Sequence, residues 1–203
     1  MQSMILSFFL ITFVVAIYGL VHSLLAGRKA KEVAAVWLGS KFKWYRLGYN
    51  VFAAISLLPV LALAITLPDT VLYTVSSPWN GLMILLQLAG AGISLFGARQ
   101  TGLWHLAGLA QLRENGAPLA EHRLVTDGLY RYVRHPIYTG AILFLWAAPQ
   151  MTWNGLALRL SLTLYFIIGG MVEEKRLVAE YGDAYRAYRL RTPMLIPGMK
   201  KPV

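Results

Sequence analysis

The chain has 203 residues, 57% of them apolar and only 14% charged, with a mean hydropathy of +0.54. Disorder is excluded because disordered chains are poor in apolar residues, and a soluble fold would have to hide long apolar runs in a core that a chain of this length barely encloses. There is no cysteine, so a disulfide scaffold and any thiol-based site are excluded as well. The formal net charge of +10 at first suggests a nucleic-acid partner, and its distribution decides the matter.

The first charge in the chain is Arg28, and residues 5–25 read as a membrane span. They do not read as a typical signal peptide, since no basic segment precedes them and the apolar stretch is too long. No charge occurs between Arg46 and Asp69 or between Asp69 and Arg99, which predicts spans at 47–67 and, after Pro78, at 81–98. A further uncharged run lies between Arg134 and Arg159, and the chain stays apolar from Leu160 to Val172. Pro149, Asn154 and Gly155 break it. This predicts a tight hairpin of two helices with spans at 137–150 and 155–172. Beyond it, Leu177, Val178, Tyr181, Tyr185 and Tyr188 recur at spacings of three and four. They predict one amphipathic helix from Glu173 to about Arg189, lying at the interface or on the other helices. Alternatively, its tyrosines wall a lipophilic pocket. Thr192-Pro193 and Ile196-Pro197-Gly198 end it.

The expected fold class is thus an all-α integral membrane protein, a single membrane domain over residues 1–203. It has about five transmembrane helices, with four as the alternative. A cytoplasmic connecting segment at 99–136 and a C-terminal amphipathic helix within 173–203 complete it.

In the five-span arrangement 18 of the 19 basic residues fall on one side and only Arg159 on the other. The positive-inside rule makes that side cytoplasmic, with the amino terminus outside and the carboxyl terminus inside. The charge is therefore an orientation signal and an attraction to anionic membrane lipids. No nucleic-acid partner is expected, since the basic residues are dispersed and no recognition motif accompanies them. Eight of the nine acidic residues share the basic face, Asp69 being the exception.

Two clusters on that face carry chemistry. The first is Arg134-His135-Pro136-Ile137-Tyr138-Thr139-Gly140, where a polar segment enters a span. Pro136 suits the first turn of a helix, and a helix amino terminus offers free N–H groups to a carboxylate or phosphate. The alternative is a snorkelling Arg134 with His135 and Tyr138 as interfacial anchors. The second is Glu173-Glu174 at the end of an apolar run. Carboxylates there lie near hydrocarbon and face the negative end of the helix dipole. Something cationic must compensate them, either Lys175 and Arg176 or a bound cationic ligand. Gly90-Ala91-Gly92 inside the third span reads as a close-packing stripe. The four histidines show no metal-ligand spacing, so no metal is expected.

Arg-His-Pro-x-Tyr-x-Gly at 134–140 resembles the signature of integral-membrane methyltransferases. These include isoprenylcysteine carboxyl methyltransferases, phospholipid N-methyltransferases and methanethiol S-methyltransferase-like proteins. The lead-in Leu124-Val125-Thr126-Asp127-Gly128-Leu129-Tyr130 and the sequel Glu173-Glu174, Leu177, Tyr181-Gly182, Tyr185, Tyr188 and Ile196-Pro197 extend the likeness over about residues 120–198. The front half, with residues 18–25 and 44–50, is more similar to the bacterial thiol methyltransferase-like and NnrU-like branches.

The resemblance implies S-adenosylmethionine as cofactor, with Tyr130, Arg134, His135, Pro136, Tyr138, Gly140, Glu173 and Glu174 lining its site. Glu174, Arg134 and Arg176 would be the catalytic residues, with Glu174 or His135 as a base and Arg176 on the substrate side. It implies methyl transfer at the cytoplasmic face of a membrane, the bacterial inner membrane, to a small or lipophilic acceptor: a thiol, a lipid amine or a carboxylate. Two other classes remain open at this level. One is a membrane-bound NADPH-dependent reductase, because sterol-reductase relatives carry a similar motif. The other is a non-catalytic accessory protein of nitrogen-oxide metabolism.

Overall fold

A computed structural model of the chain describes residues 1–113 and 123–199. His122 of the connecting segment, together with Lys200 and Lys201 of the tail, lies outside the described residues. The helices are α1 (Gln2–Ala26), α2 (Arg28–Leu38), α3 (Tyr45–Thr66), α4 (Trp79–Gln100), α5 (Leu103–Ala107), α6 (Ala110–Arg113), α7 (Pro136–Trp146), α8 (Trp153–Tyr181) and α9 (Asp183–Arg191). Single 3₁₀ turns occupy Gly39–Trp44 and Gly128–Arg131, and two short strands, β1 (Val71–Thr74) and β2 (Gln150–Thr152), form a two-stranded sheet.

The protein is an all-α integral membrane protein. Among the described residues, four helical stretches are long and apolar enough to cross a bilayer: Gln2–Ala26, Arg28–Thr66, Trp79–Gln100 and Trp153–Tyr181. Large apolar side chains such as Phe9, Phe13, Leu20, Leu85, Leu88 and Leu95 are exposed along α1 and α4. Such an apolar exterior is what lipid, and not water, solvates. The predicted starts and ends of the first three spans fall within a few residues of α1, α3 and α4.

The last two predicted spans come out differently. α7 has 11 residues and ends at Trp146, short of the 137–150 span expected. At 1.5 Å per residue it is about 17 Å long. The chain then becomes extended through β2, as Pro149 dictates. α8, by contrast, has 29 residues and runs without interruption through Glu173 and Glu174 to Tyr181. The expected single tail helix is thus divided. Its first part is the end of α8, and its second part is α9, separated by Gly182 at φ +55°. Only glycine adopts that backbone conformation readily. Tyr185 and Tyr188 on α9 are buried, 1% and 3% exposed.

The chain divides into two compact units, with α8 contributing to both. One comprises residues 1–72, 102–122 and 152–162. Ile11, Val15, Val60 and Ala157 form its fully buried centre, where α1, α3 and the start of α8 meet, with Phe8, Val14, Leu57 and Leu158 packed around them. Asp69, the lone acid expected off the charged face, has a structural task here. Its Oδ1 accepts the backbone N–H of Thr70 (2.8 Å) and of Asn154 (2.9 Å). It thereby satisfies a donor in the first turn of α8, as a capping residue does from closer in sequence. Asn154 is fully buried and donates in turn to the carbonyls of Ala64 and Leu67.

The second unit comprises residues 73–101, 123–151 and 163–203. Its centre is the antiparallel pair α4 and α7. Gly90 and Gly140 face one another: a Cβ on Gly90 would lie 2.6 Å from the Gly140 carbonyl oxygen and 2.7 Å from the Phe144 nitrogen. The Ser94 hydroxyl donates to the Ile137 carbonyl (2.9 Å) between them. The glycine stripe read from sequence as close packing is therefore half realised, since Gly92 has open space where its Cβ would be.

Gly90→Leu puts side-chain atoms into backbone and is expected to destabilise the protein by about 1–3 kcal/mol or more. Gly92→Leu should leave thermal unfolding in detergent unchanged or slightly higher. Equal effects of the two variants would mean that α4 and α7 do not meet at Gly90.

Candidate functional site

Glu173 and Glu174 are consecutive on α8, so their side chains leave the helix about 100° apart at 3.6 residues per turn. That angle separates their environments. Glu174 is buried, its side chain 7% exposed, whereas that of Glu173 is 47% exposed. The α7 amino terminus meets them. His135 lies between the two carboxylates, with Nε2 3.4 Å from Glu174 Oε1 and Nδ1 3.7 Å from Glu173 Oε2. One helical turn contains Tyr138, whose hydroxyl donates to Glu173 Oε2 at 2.9 Å. Its ring stacks on His135 (5.3 Å between centroids) and on Phe166 of α8 (5.4 Å).

Compensation of the buried charge comes from far along the sequence. Arg134 Nε donates to Glu174 Oε1 at 2.6 Å, and Arg189 Nε of α9 lies 3.3 Å from Oε2. Lys175 and Arg176, the local candidates, are both exposed. Arg134 is itself buried, and its Nη1 donates to the carbonyls of Thr192 and Arg189. One guanidinium therefore ties α8 to the start of the C-terminal tail.

The tail completes the framework. Pro193 and Pro197 keep it out of a helix, and its carbonyls are free to accept. Arg134 N–H donates to Pro193 O (2.9 Å), His135 N–H to Met194 O (3.1 Å) and Thr139 Oγ1 to Leu195 O (2.7 Å). Backbone donors just ahead of α7, expected from sequence to be open to a ligand, are thus held by the protein itself. Tyr188 Oη donates to the Tyr130 carbonyl at 2.6 Å, and Tyr130 Oη reaches the Gly97 carbonyl of α4 at 3.5 Å. Burial pushes both phenols above their ordinary range and keeps them neutral donors. Burial and then the Glu174 charge raise Tyr185 likewise, and its hydroxyl is buried without a hydrogen-bond partner among the described residues.

Of the residues expected at the site, Arg134, His135, Tyr138, Glu173 and Glu174 form one cluster, with Tyr130 joined to it through Tyr188. Pro136 opens α7 and is buried. Gly140 faces Gly90 and Ser94 of α4, so its small size serves helix packing. Arg176 is exposed on α8. Sequence reading did not single out Arg189 or Phe166 as site residues, and it placed Tyr185 only in the aromatic stripe and the family-like sequel. The stripe containing Tyr185 was visible, but nothing linear placed α9 back against α8.

Comparison with known proteins covers this same region. The phospholipid methyltransferase family matches residues 90–184, from the α4 glycine stripe past the carboxylate pair. Methanethiol S-methyltransferase 1 of Bradyrhizobium diazoefficiens is 32% identical over 185 residues, covering 90% of this chain and 64% of that protein. Over this region the chain is similar to integral-membrane methyltransferases. Methanethiol S-methyltransferase of a Pseudomonas strain is 34% identical over 63% of the chain and 50% of its own length. Protein-S-isoprenylcysteine O-methyltransferase of Schizosaccharomyces pombe is 43% identical over 38% of the chain and 34% of its own length. The chain spans less than two thirds of the length of each of these relatives. No solved structure matches it.

Glu174→Gln leaves two guanidinium groups without their counter-charge in a buried site. Loss of one partner of such a pair destabilises by about 3–5 kcal/mol. The expected result is a lower unfolding temperature in detergent, in the absence of any ligand. An unchanged temperature would show that Arg134 and Arg189 are compensated by solvent.

Proposed function

We propose that the protein transfers a methyl group from S-adenosylmethionine to a small or lipophilic acceptor at the cytoplasmic face of the bacterial inner membrane. The observation that carries this reading is the asymmetry of the carboxylate pair. Glu174 is saturated by protein cations, whereas Glu173 stays accessible beside the aromatic stack of His135, Tyr138 and Phe166. An accessible carboxylate next to aromatic faces suits a ligand with an ammonium and a sulfonium. The Tyr185 hydroxyl, buried and unpartnered, is influenced by the same charges and adds a donor for a ligand oxygen or nitrogen. The residues therefore fit the cofactor that the family resemblance implies.

In this reading Glu173 holds the cationic part of the cofactor and Tyr138 orients that carboxylate. Arg134, His135 and Glu174 form the support beneath it. Pro136 and Gly140 set the position of α7, Tyr130 braces the site from the connecting segment, and Arg176 stays on the substrate side. When bound, S-adenosylmethionine supplies an electrophilic methyl carbon. The protein contributes position and the exclusion of water from the line of attack. A thiol or amine acceptor must lose a proton, which His135 can take at the ring nitrogen facing Glu173. Glu174, held by two arginines, is poorly placed to accept it. A carboxylate acceptor needs no base. Among the acceptors, a small thiol is favoured because the named relatives that cover most of the chain are methanethiol S-methyltransferases.

The orientation proposed is amino terminus outside and carboxyl terminus inside, with α7 as a short fifth span and α9 lying at the inner interface. The basic residues support it, since this arrangement leaves only Arg159 on the outer side.

Calorimetric or thermal-shift titration of the full chain in detergent tests the reading. S-adenosylmethionine and S-adenosylhomocysteine should each raise the unfolding temperature, corresponding to about 2.7 kcal/mol at 100 times Kd. Glu173→Gln should weaken this affinity by about tenfold or more, as loss of a charge-assisted contact does, with little change in ligand-free stability. A response to NADPH alone would instead indicate a reductase, and no response to any nucleoside cofactor a non-catalytic membrane protein.

A further inference from the structure

A second feature lies in the unit formed by residues 1–72, 102–122 and 152–162, and methyl transfer makes no use of it. Leu25, Leu38, Lys41, Trp44, Tyr45, Gly48, Tyr49 and Phe52 line a cavity of about 430 Å³. It lies where the end of α1, the end of α2, the 3₁₀ turn Gly39–Trp44 and the start of α3 converge. That volume falls within the range of small-molecule clefts, about 300–1,000 Å³. Its walls are apolar and aromatic, and the two tyrosine hydroxyls among them are engaged within the protein. Tyr45 Oη donates to the Leu25 carbonyl (2.7 Å), and the Tyr49 hydroxyl bonds the His22 ring (2.6 Å to Nε2). The one charge in the lining is Lys41, which is exposed.

Its surroundings are those of a membrane interface. Residues 26–50 carry Arg28, Lys29, Lys31, Lys41, Lys43 and Arg46 against a single acid, Glu32. That acid is already paired with Arg28 at 3.2 Å on the exposed side of α2. The opposite character appears on α2 as Val33, Val36 and Trp37, which are exposed, the last two by more than four fifths. A helix that carries cations together with exposed Val and Trp side chains suits the headgroup boundary. A cavity at that depth, dry-walled with one lysine at its edge, is complementary to a molecule with a hydrocarbon chain and an anionic head.

We infer that this cavity is a binding site for an anionic phospholipid, with an acyl chain against Trp44, Tyr45, Tyr49 and Phe52 and the phosphate on Lys41. None of its lining residues belongs to the carboxylate cluster. Its occupancy ties the α1–α2–α3 corner to the membrane surface.

Gly48 makes the inference testable. It lines the cavity, and a Cβ added there meets no atom within 4 Å. Gly48→Leu therefore adds side-chain volume at the cavity wall from a Cβ that has open space, and it improves helix propensity. Full-length protein would be delipidated in detergent, offered phosphatidylglycerol or phosphatidylcholine, and examined by native mass spectrometry. The wild type should retain one phosphatidylglycerol in preference to phosphatidylcholine. Lys41→Gln should lower that preference about fivefold, as expected for one interfacial charge. Gly48→Leu should abolish retention of either lipid while unfolding at the wild-type temperature or above. Equal retention of the two lipids by the wild type overturns the inference. So does retention unchanged in both variants, or displacement of phosphatidylglycerol by a farnesylcysteine analogue, which would make the cavity an acceptor site.

Discussion

The second structural unit depends on one buried carboxylate. Glu174 sits on a membrane helix where neither water nor the helix dipole favours a negative charge. It is sustained by the Arg134 guanidinium at 2.6 Å, by Arg189 at 3.3 Å and by the edge of His135. Such a charge is costly to desolvate and is kept only if its partners are held in place. Much of the surrounding architecture can be understood as holding them. The tail carbonyls of Pro193 and Met194 fix the backbone of Arg134 and His135, and those of Arg189 and Thr192 fix the arginine side chain. Gly182 turns the chain so that α9 brings Arg189 back to α8.

This arrangement gives two adjacent carboxylates different environments. Glu174 is structural: it neutralises arginines and anchors the tail. Glu173, one residue away and rotated by about 100°, is left accessible with Tyr138 and His135 against it. In the proposed function, a cofactor with a positive centre would meet a carboxylate whose position is set by a rigid support. Preorganised electrostatics of this kind requires no rearrangement when the ligand binds. The buried tyrosines contribute in the same way. Tyr188 and Tyr130 are neutral donors engaged to carbonyls, and Tyr185 holds a hydroxyl with no protein partner beside the same charges.

The first unit obeys different rules. Its buried centre is small, and most of its apolar surface faces outward, as lipid requires. Several polar groups inside it are paired: Asp69 caps α8, the Asn154 amide nitrogen bonds to the end of α3, and Tyr49 pairs with His22. Its basic corner joins an aromatic cavity to a membrane-facing amphipathic helix. Lipid is thus part of the solvent that shapes this unit, and the cavity is where that solvent becomes specific.

Composition and charge spacing alone determined that the chain is a helical membrane protein, where its first three long helices run, and which two short motifs carry charge at a membrane surface. These are properties of contiguous residues, and the cost of placing charge in hydrocarbon is local enough to be read along a line. Tertiary structure decided the rest. Whether Glu174 is compensated by Arg176, two residues on, or by Arg134, forty residues back, depends on which helices meet. So does the role of Gly140, which looked like room for a ligand and is room for α4. The closing of the tail over Arg134 arises from long-range hydrogen bonds. Those bonds carry no periodicity that a sequence could display.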